Sequence, residues 1–165
     1  MIRPAFFYGG PAASLVHGFK YRSRLDAARF SGRQMARALD RFPEIRDFDC
    51  LAPVPLHPSR MRERGYNQAL LLAQEVSAAV GKPIEEPLAR RFPTKPQWNL
   101  GRRQRSKNLV NGIVARDGSP KDKRILLVDD VCTTSATLEE CAKALRLAGA
   151  SSVNALVFAR QTYRG

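Results

Sequence analysis

Two adjacent acids followed by a run of small hydroxyl residues form the pattern in this sequence that is best suited to chemistry. Asp129 and Asp130 come directly after the apolar run 123–128. The loop that follows carries hydroxyl or small side chains at Thr133, Thr134, Ser135, Ala136 and Thr137. Hydroxyls donate hydrogen bonds without adding bulk, and a helix that begins here offers free N–H groups to an anion. The loop therefore predicts a phosphate site, in which each bond to the charged group contributes about 1.5–3 kcal/mol.

The two acids need a different partner, because a carboxylate in contact with the phosphate would repel it. An ionised carboxylate only accepts hydrogen bonds, so the vicinal hydroxyls of a ribose are the natural donors to Asp129 and Asp130. A Mg²⁺ ion that is held mainly by the ligand is the second interpretation. Together the acids and the loop predict a phosphorylated ribose.

A strand, a helix and a second strand must position this loop. The apolar run 123–128 is typical of a parallel strand with both faces covered, 136–148 carries an apolar stripe of helical period, and 153–159 is another apolar run. This order predicts a right-handed βαβ unit. Ligands of such sheets bind beyond the carboxyl ends of the strands, which is where the loop lies.

The rest of the chain predicts further elements of the same fold class. Strands are expected at 6–8 and 49–54, and helices at 11–21, 27–42 and 67–80. A length of 165 residues suits one domain over 1–165. We expect an N-terminal helical region over 1–45 and a core over 46–165 that carries a basic loop at 88–116. The predicted fold is α/β, with three layers and a mostly parallel sheet.

Composition narrows the function classes. The chain has 28 Lys and Arg against 15 Asp and Glu, a formal charge of +13, which attracts nucleotides and nucleic acids. No stretch approaches the ~18 apolar residues of a membrane span, and the first residues lack the apolar stretch of a secretory signal. Cys50, Cys132 and Cys141 form no C-x-x-C pair and fit a reducing compartment, so a cytoplasmic location is expected.

Two basic segments are further candidates for anion binding. Arg60, Arg62 and Arg64 flank the predicted turn before the helix at 67–80. Their guanidinium groups could hold phosphate oxygens in bidentate contacts, and a solvated basic turn is the alternative.

The second basic segment, 87–116, contains eight Lys and Arg residues and no acid. Its candidates for contact with nucleic acid are Trp98, Arg102, Arg103, Arg105 and Lys107. Lys and Arg side chains combined with an exposed aromatic side chain suit single-stranded nucleic acid, because they contact the phosphates while the aromatic ring stacks on a nucleobase. A disordered basic loop with Trp98 in the core is the alternative.

The segment 125–137 resembles the phosphoribosyl pyrophosphate (PRPP) signature of type I phosphoribosyltransferases, where an apolar strand, two acids and a Thr-Thr-Gly-x-Thr type loop follow one another. Other runs resemble the ComF/GntX-like family, whose members are associated with DNA uptake and use in bacteria. These runs are Phe19-Lys20-Tyr21, Pro53-Val54-Pro55-Leu56-His57-Pro58, Arg62-Glu63-Arg64-Gly65-Tyr66-Asn67-Gln68, Gln97 and the region 105–108. The resemblance covers roughly residues 6–160 and implies a type I phosphoribosyltransferase-like fold.

The resemblance also implies a ligand and roles for the site residues. The ligand is PRPP or another phosphoribosyl compound with Mg²⁺, and the loop from Thr133 to Thr137 holds its 5′-phosphate. Asp129 and Asp130 hold the ribose and are candidate Mg²⁺ contacts. Arginines of the two basic segments, Arg62 and Arg64 among them, neutralise the pyrophosphate, and the resemblance suggests that the second segment is a mobile loop that closes over it. Asp129, Asp130 and Arg64 are therefore the candidate catalytic residues.

Two functions remain open at this point. The first is transfer of the phosphoribosyl group from PRPP to a nitrogen acceptor. The second is a non-catalytic module of DNA uptake that senses PRPP or binds single-stranded DNA. Thr133 stands where transferases for 6-oxopurines carry an Asp, which argues against hypoxanthine or guanine as the acceptor. Related folds often dimerise, so a homodimer is a candidate assembly.

The sequence departs from the family pattern in two places. Ser135 stands where the loop usually has a glycine, and a serine with positive φ costs about 1 kcal/mol, so a reshaped loop is expected. No cysteine precedes Cys50, so the N-terminal zinc ribbon that is common in the family is not expected in this chain.

Overall fold

The computed structural model describes residues 1–18, 25–90, 112–118 and 121–161, and these form an α/β structure. The helices are α1 Gly10–Gly18, α2 Leu25–Ala38, α3 Pro58–Arg64, α4 Gln68–Val80 and α5 Ala136–Leu147. The strands are β1 Ile2–Phe7, β2 Cys50–Pro53, β3 Leu88–Arg90, β4 Ile113–Ala115, β5 Arg124–Cys132 and β6 Ser152–Arg160.

The main sheet is parallel throughout the described residues. Its four strands lie in the order β1-β6-β5-β2, and β3 and β4 pair antiparallel in a separate two-stranded sheet. All four parallel strands therefore end at the same edge, which we call the carboxyl edge. A ligand that binds beyond this edge can reach the loops after every strand.

Helices cover both faces of the main sheet, which confirms the predicted three layers. Side chains alternate between the faces of a strand, so Leu126 and Val128 of β5 join one core cluster while Ile125 and Leu127 join the other. Helices α1, α2 and α4 contribute Val16, Met35, Leu72 and Val76 to the first cluster. Helix α5 contributes Leu138, Cys141 and Leu145 to the second.

The local signals read from the sequence placed several elements within one or two residues. Helix α4 begins after Asn67, whose side-chain oxygen accepts a hydrogen bond from the Ala69 N–H at 3.1 Å, and it ends at Gly81 with φ 68°. Helix α5 is one residue shorter than the predicted 136–148, and β6 is one residue longer at each end than 153–159. The predicted βαβ unit is present.

Four predicted elements differ in the structure, and the unpredicted strands β3 and β4 form at the two ends of the predicted basic loop 88–116. Strand β1 begins at Ile2 rather than at residue 6, and it adds a strand from the predicted N-terminal helical region to the main sheet. Strand β5 continues through both acids to Cys132. The predicted turn with Arg60 to Arg64 is the helix α3.

The fourth difference is that α2 ends at Ala38 and two 3₁₀ turns, Leu39–Arg41 and Pro43–Ile45, replace the rest of the predicted helix. Pro43 accounts for the non-helical conformation of Phe42, with φ −131° and ψ 66°, because a proline disfavours the helical conformation of the residue before it. Residues 19–21 of the predicted helix 11–21 lie outside the described residues. No helix among the described residues is long and apolar enough to cross a membrane.

Candidate functional site

A cavity of about 450 Å³ lies at the carboxyl edge of the main sheet. It is bordered by residues from the ends of all four parallel strands and from α1, α3, α4, α5 and β3. These are Tyr8, Val16, Val54, Pro55, Leu56, Arg60, Arg64, Asn67, Gln68, Ala69, Arg90, Asp129, Asp130, Val131, Thr133, Thr137 and Gln161. The edge that the sequence predicted to bind a ligand therefore carries a cavity, and both acids border it.

The acids occupy the last part of β5 and are held by the backbone that follows them. The Asp130 N–H donates to Asp129 Oδ1 at 2.9 Å, and the Val131 N–H donates to Asp130 Oδ1 at 2.7 Å. Burial raises the pKa of Asp129 well above its usual range, and the neighbouring charge of Asp130 raises it further. Burial also raises the pKa of Asp130, against the opposing charge of Arg64. The two carboxyls titrate as a pair, and both favour a ligand that donates hydrogen bonds or brings a cation.

Arginines from two elements form a cationic side of the cavity. Arg60 and Arg64 both border it, because residues four apart lie on the same face of a helix. Arg62 is exposed and is not among the described residues that border the cavity, since it lies two positions away on α3. The predicted phosphate contact of Arg62 stays a prediction, and the arginine of α3 that borders the cavity together with Arg64 is Arg60.

Arg90, at the end of β3, was not singled out as a site residue by the sequence. Its Nε donates to the Pro55 carbonyl oxygen at 2.9 Å, which ties β3 to the loop after β2. Its positive charge also acts to lower the pKa of Asp129. The only sequence signal for it was its place in the basic segment 87–116.

The hydroxyl residues of the predicted phosphate loop divide between two cavities. Thr133 and Thr137 border the cavity at the acids. Thr134 and Ser135, again with Thr133, border a neighbouring cavity of about 1010 Å³ beside β1. Ala136 is exposed at the first position of α5. The loop therefore lies between two spaces, and a phosphate in the smaller one meets Thr133 and Thr137.

Ser135 adopts a left-handed backbone conformation, as expected at a position where the family usually has a glycine. Its φ is 39° and its ψ is −14°. Its hydroxyl donates to Glu139 Oε1 in a short contact and, within the described residues, caps no backbone N–H of α5. The Ala136 N–H is in short contact with the Thr134 carbonyl oxygen, which closes a tight turn before the helix. Ser135 thus has a positive φ, a conformation that glycine tolerates more readily than serine, and the expected reshaping of the loop stays a prediction.

Two further residues reach the cavity from the ends of β1 and β6. The Tyr8 N–H donates to the Arg160 carbonyl oxygen at 2.8 Å, and the Gln161 N–H donates to the Cys132 carbonyl oxygen at 3.0 Å. These bonds continue the strand pairing beyond the regular ladder and hold the ends of β1, β6 and β5 in a row. Neither residue was predicted, because only the order of the strands brings them to the acids.

Comparison with known proteins agrees with this arrangement. The model of the phosphoribosyl transferase domain family matches residues 67–164. Competence protein F of Haemophilus influenzae is 32% identical over 160 residues, which cover 93% of this chain and 69% of that protein. The chain belongs to the phosphoribosyl transferase domain family. Within it, the chain groups with the competence protein F relatives.

Other relatives extend the same grouping. The DNA utilization protein YhgH of Escherichia coli K12 is 30% identical over 150 residues, covering 88% of this chain and 66% of that protein. Competence protein ComFC of Bacillus subtilis is 27% identical over 161 residues, covering 96% and 63%. The chain spans about two thirds of the length of these curated relatives.

A solved structure shows the same fold at lower sequence similarity. The glutamine PRPP amidotransferase of B. subtilis, complexed with ADP and GMP, superposes with a TM-score of 0.57 at 18% identity. The match covers 86% of this chain and 30% of that protein. The predicted type I phosphoribosyltransferase-like fold is therefore confirmed.

The candidate nucleic-acid residues Trp98, Arg102, Arg103, Arg105 and Lys107 lie outside the described residues. So do Gln97 and the run Phe19-Lys20-Tyr21. Their predicted roles stay predictions.

The protein groups of the cavity suit Mg²⁺ only as part of a ligand complex. Among the described residues, no group of three or more His, Cys, Asp and Glu side chains could hold a metal ion. Asp129 and Asp130 supply two carboxylates, and Mg²⁺ is commonly held by one or two carboxylates together with phosphate oxygens and water. The donor set therefore fits a Mg²⁺ ion that arrives with a pyrophosphate.

Proposed function

We propose that this protein binds PRPP with Mg²⁺ in the cavity at the carboxyl edge and transfers its phosphoribosyl group to a nitrogen acceptor. The observation that carries the proposal is that one cavity is bordered by paired acids, threonine hydroxyls and arginines. A compound with ribose hydroxyls, a phosphate and a pyrophosphate requires these three kinds of partner.

The positions of the groups suggest how the ligand lies. Thr133 and Thr137 accommodate the 5′-phosphate beside the start of α5, where helix N–H groups face an anion. The vicinal hydroxyls of the ribose donate to Asp129 and Asp130. The pyrophosphate lies toward Arg60 and Arg64 of α3, beside the loop after β2.

The proposed chemistry relies on positioning and electrostatics. Departure of pyrophosphate leaves positive charge on the ribose ring, which the paired carboxylates stabilise. The guanidinium groups of Arg60 and Arg64 stabilise the charge that builds on the leaving oxygens. A Mg²⁺ ion bound with the ligand would neutralise part of the pyrophosphate charge, and Asp129 and Asp130 are the residues that would contact it.

Calorimetric titration with Mg²⁺ and PRPP tests the proposal. We expect saturable binding by the wild type and its loss in the Asp129→Asn/Asp130→Asn double variant, because amides do not replace two anionic acceptors. The matched control is Asp26→Asn/Asp117→Asn, which removes two exposed acids outside the cavity. Equal loss in both double variants, or absence of binding by the wild type, would contradict the proposal.

Single-stranded DNA is a second candidate ligand. The formal charge of +13 and the names of the relatives, competence and DNA utilization proteins, favour it. Replacement of Trp98 and of Arg102 and Arg103 by Ala should weaken DNA binding and reduce its salt dependence, while PRPP binding is kept. Loss of both activities together would show that the two sites are not separable.

The proposal also includes a cytoplasmic location. Cys50, Cys132 and Cys141 are all free and buried, as expected of thiols in a reducing compartment. A homodimer stays a prediction.

A further inference from the structure

A tyrosine with a histidine beside it borders the cavity at the end of the main sheet away from β2. The strands lie in the order β1-β6-β5-β2, and Tyr8 follows β1 at one end of this order. Pro55, whose carbonyl oxygen accepts a hydrogen bond from Arg90, follows β2 at the other end. The Tyr8 backbone is fixed by its bond to Arg160, and its side chain packs against the core cluster that contains Val16. Its hydroxyl oxygen lies 3.4 Å from His17 Nε2. Tyr8 is therefore held at backbone, ring and hydroxyl.

We propose that Tyr8 takes the proton from the acceptor nitrogen and passes its own proton to His17. This inference rests on the proposed function and adds the residues that complete the transfer. Tyr8 would be a catalytic residue, because it touches the acceptor. His17 would act through Tyr8 and is a positioning residue that also receives the proton.

The layout of the cavity sets the side from which the acceptor enters. A nucleophile attacks C1′ of the ribose from the face opposite to the leaving group. If the pyrophosphate lies toward Arg60 and Arg64, the acceptor lies toward the ends of β6 and β1. There the cavity is bordered by Gln161, Tyr8 and Val16, which carry no formal charge. This surface suits a flat, neutral nitrogen heterocycle with an N–H, which can pack on a ring and bond to an amide.

The proposed step is balanced without any further reactant. The nitrogen lone pair forms a bond to C1′ while the bond from C1′ to the pyrophosphate oxygen breaks, and its electron pair leaves with that oxygen. The proton of the acceptor N–H moves to the Tyr8 hydroxyl oxygen, and the Tyr8 proton moves to His17 Nε2. Tyr8 ends neutral and His17 ends as an imidazolium, so His17 must start neutral with its proton on Nδ1.

His17 is exposed in the last turn of α1, so the proton that it receives can pass on to solvent. The charged groups that border the same cavity are Arg60, Arg64, Arg90, Asp129 and Asp130. The arginines lie on the side of the cavity where the pyrophosphate is proposed to bind. Asp129 and Asp130 of β5 lie between these arginines and Tyr8.

Tyr8→Phe and His17→Gln test the inference with two readouts on the same proteins. The first is calorimetric affinity for Mg²⁺ and PRPP. The second is pyrophosphate release from PRPP with adenine, uracil or imidazole as the added acceptor, measured from about pH 5.5 to about pH 9. Tyr8→Phe keeps the ring, and His17→Gln keeps a hydrogen-bond partner for Tyr8 but cannot take its proton.

We expect both variants to bind PRPP as the wild type does. Because acid–base catalysis typically contributes about 10²- to 10⁴-fold, kcat should fall by about 10²-fold or more in Tyr8→Phe. In His17→Gln the decline of kcat toward low pH should be smaller than in the wild type, because one of the groups whose protonation blocks the transfer is gone. The part of the decline that comes from protonation of Asp129 and Asp130 should remain. A role limited to packing would lower stability without changing this profile.

Other results would overturn the inference in distinguishable ways. Binding of PRPP without pyrophosphate release for any of the three acceptors would remove the proton-transfer role and leave the PRPP site standing. Wild-type kcat and pH profile in Tyr8→Phe would do the same. Absence of PRPP binding by the wild type would overturn the proposed function and this inference together.

Discussion

Replacing Ser135 with Gly should stabilise the protein, although serine is a good residue before a helix elsewhere. Ser135 has a φ of 39°, a region where an L-residue is unfavourable by roughly 1–2 kcal/mol. Its hydroxyl caps no described N–H of α5, so the substitution loses no cap. It loses the contact with Glu139, which is exposed to water and contributes little.

The expected magnitude follows from two opposing effects. Glycine relieves the strain of roughly 1–2 kcal/mol, and it adds about 0.5–1 kcal/mol of conformational freedom to the unfolded chain. The net gain therefore lies between about 0 and 1.5 kcal/mol, with a midpoint of about 0.75 kcal/mol, which corresponds to a rise in Tm of up to about 6 °C for a chain of this size. Because Ser135 does not border the cavity at the acids, PRPP affinity should not fall.

Thermal and urea unfolding of Ser135→Gly and Ser151→Gly measure the effect. Ser151 is exposed and is not among the described residues with positive φ, so glycine there relieves no strain. We expect Ser151→Gly to lower the free energy of unfolding by about 0.5–1 kcal/mol, opposite in sign to Ser135→Gly. If both variants are destabilised to the same degree, the conformation of Ser135 is not strained and the reasoning is refuted.

Two further predictions concern the charges of the cavity. Arg64→Ala should weaken the binding of PRPP with Mg²⁺ by about ten- to a hundredfold, because hydrogen bonds to charged groups contribute about 1.5–3 kcal/mol. The control Arg62→Ala should change the calorimetric Kd by less than about twofold, because Arg62 does not border the cavity. The pKa values of Asp129 and Asp130 are higher in the folded protein than the value of about 3.9 for an Asp in the unfolded chain. The wild type should therefore lose stability as the pH rises from about 3.9 through the pKa values of the folded protein. The Asp129→Asn/Asp130→Asn variant should lack this loss in Tm measured against pH, and an identical pH dependence in both proteins would contradict the assignment.

The sequence predicted the elements of the fold that depend on local pattern. The run 123–128 is apolar from Ile125 onward, as a strand buried on both faces requires. Because two acids follow this strand directly, the sequence also predicted where the site lies. Helix α5 was found from its apolar stripe. These signals are local, so no knowledge of the distant chain was needed.

The elements that were missed depend on distant partners or lack an apolar period. Helix α3 has Pro58 at its first position and Gly65 after its end, which are helix signals, but its arginine-rich faces carry no apolar stripe. With this segment predicted as a turn, the candidate contacts were Arg62 and Arg64, whereas the helix brings Arg60 and Arg64 to the cavity. Strand β1 contains a proline and becomes a strand because β6 lies beside it.

The pH dependence of stability can show whether Asp129 and Asp130 serve ligand binding or the structure, because the two roles predict opposite changes in stability as the pH rises. Below their raised pKa values, Asp129 and Asp130 are protonated, which favours the folded state. Above them the acids are ionised, which lowers stability and creates the acceptors that ribose hydroxyls or Mg²⁺ require. Stability and ligand affinity should therefore move in opposite directions as pH rises. Structural acids would be held by cations, like Asp49, whose pKa is lowered by hydrogen bonds from Arg124 and whose removal should cost stability at neutral pH.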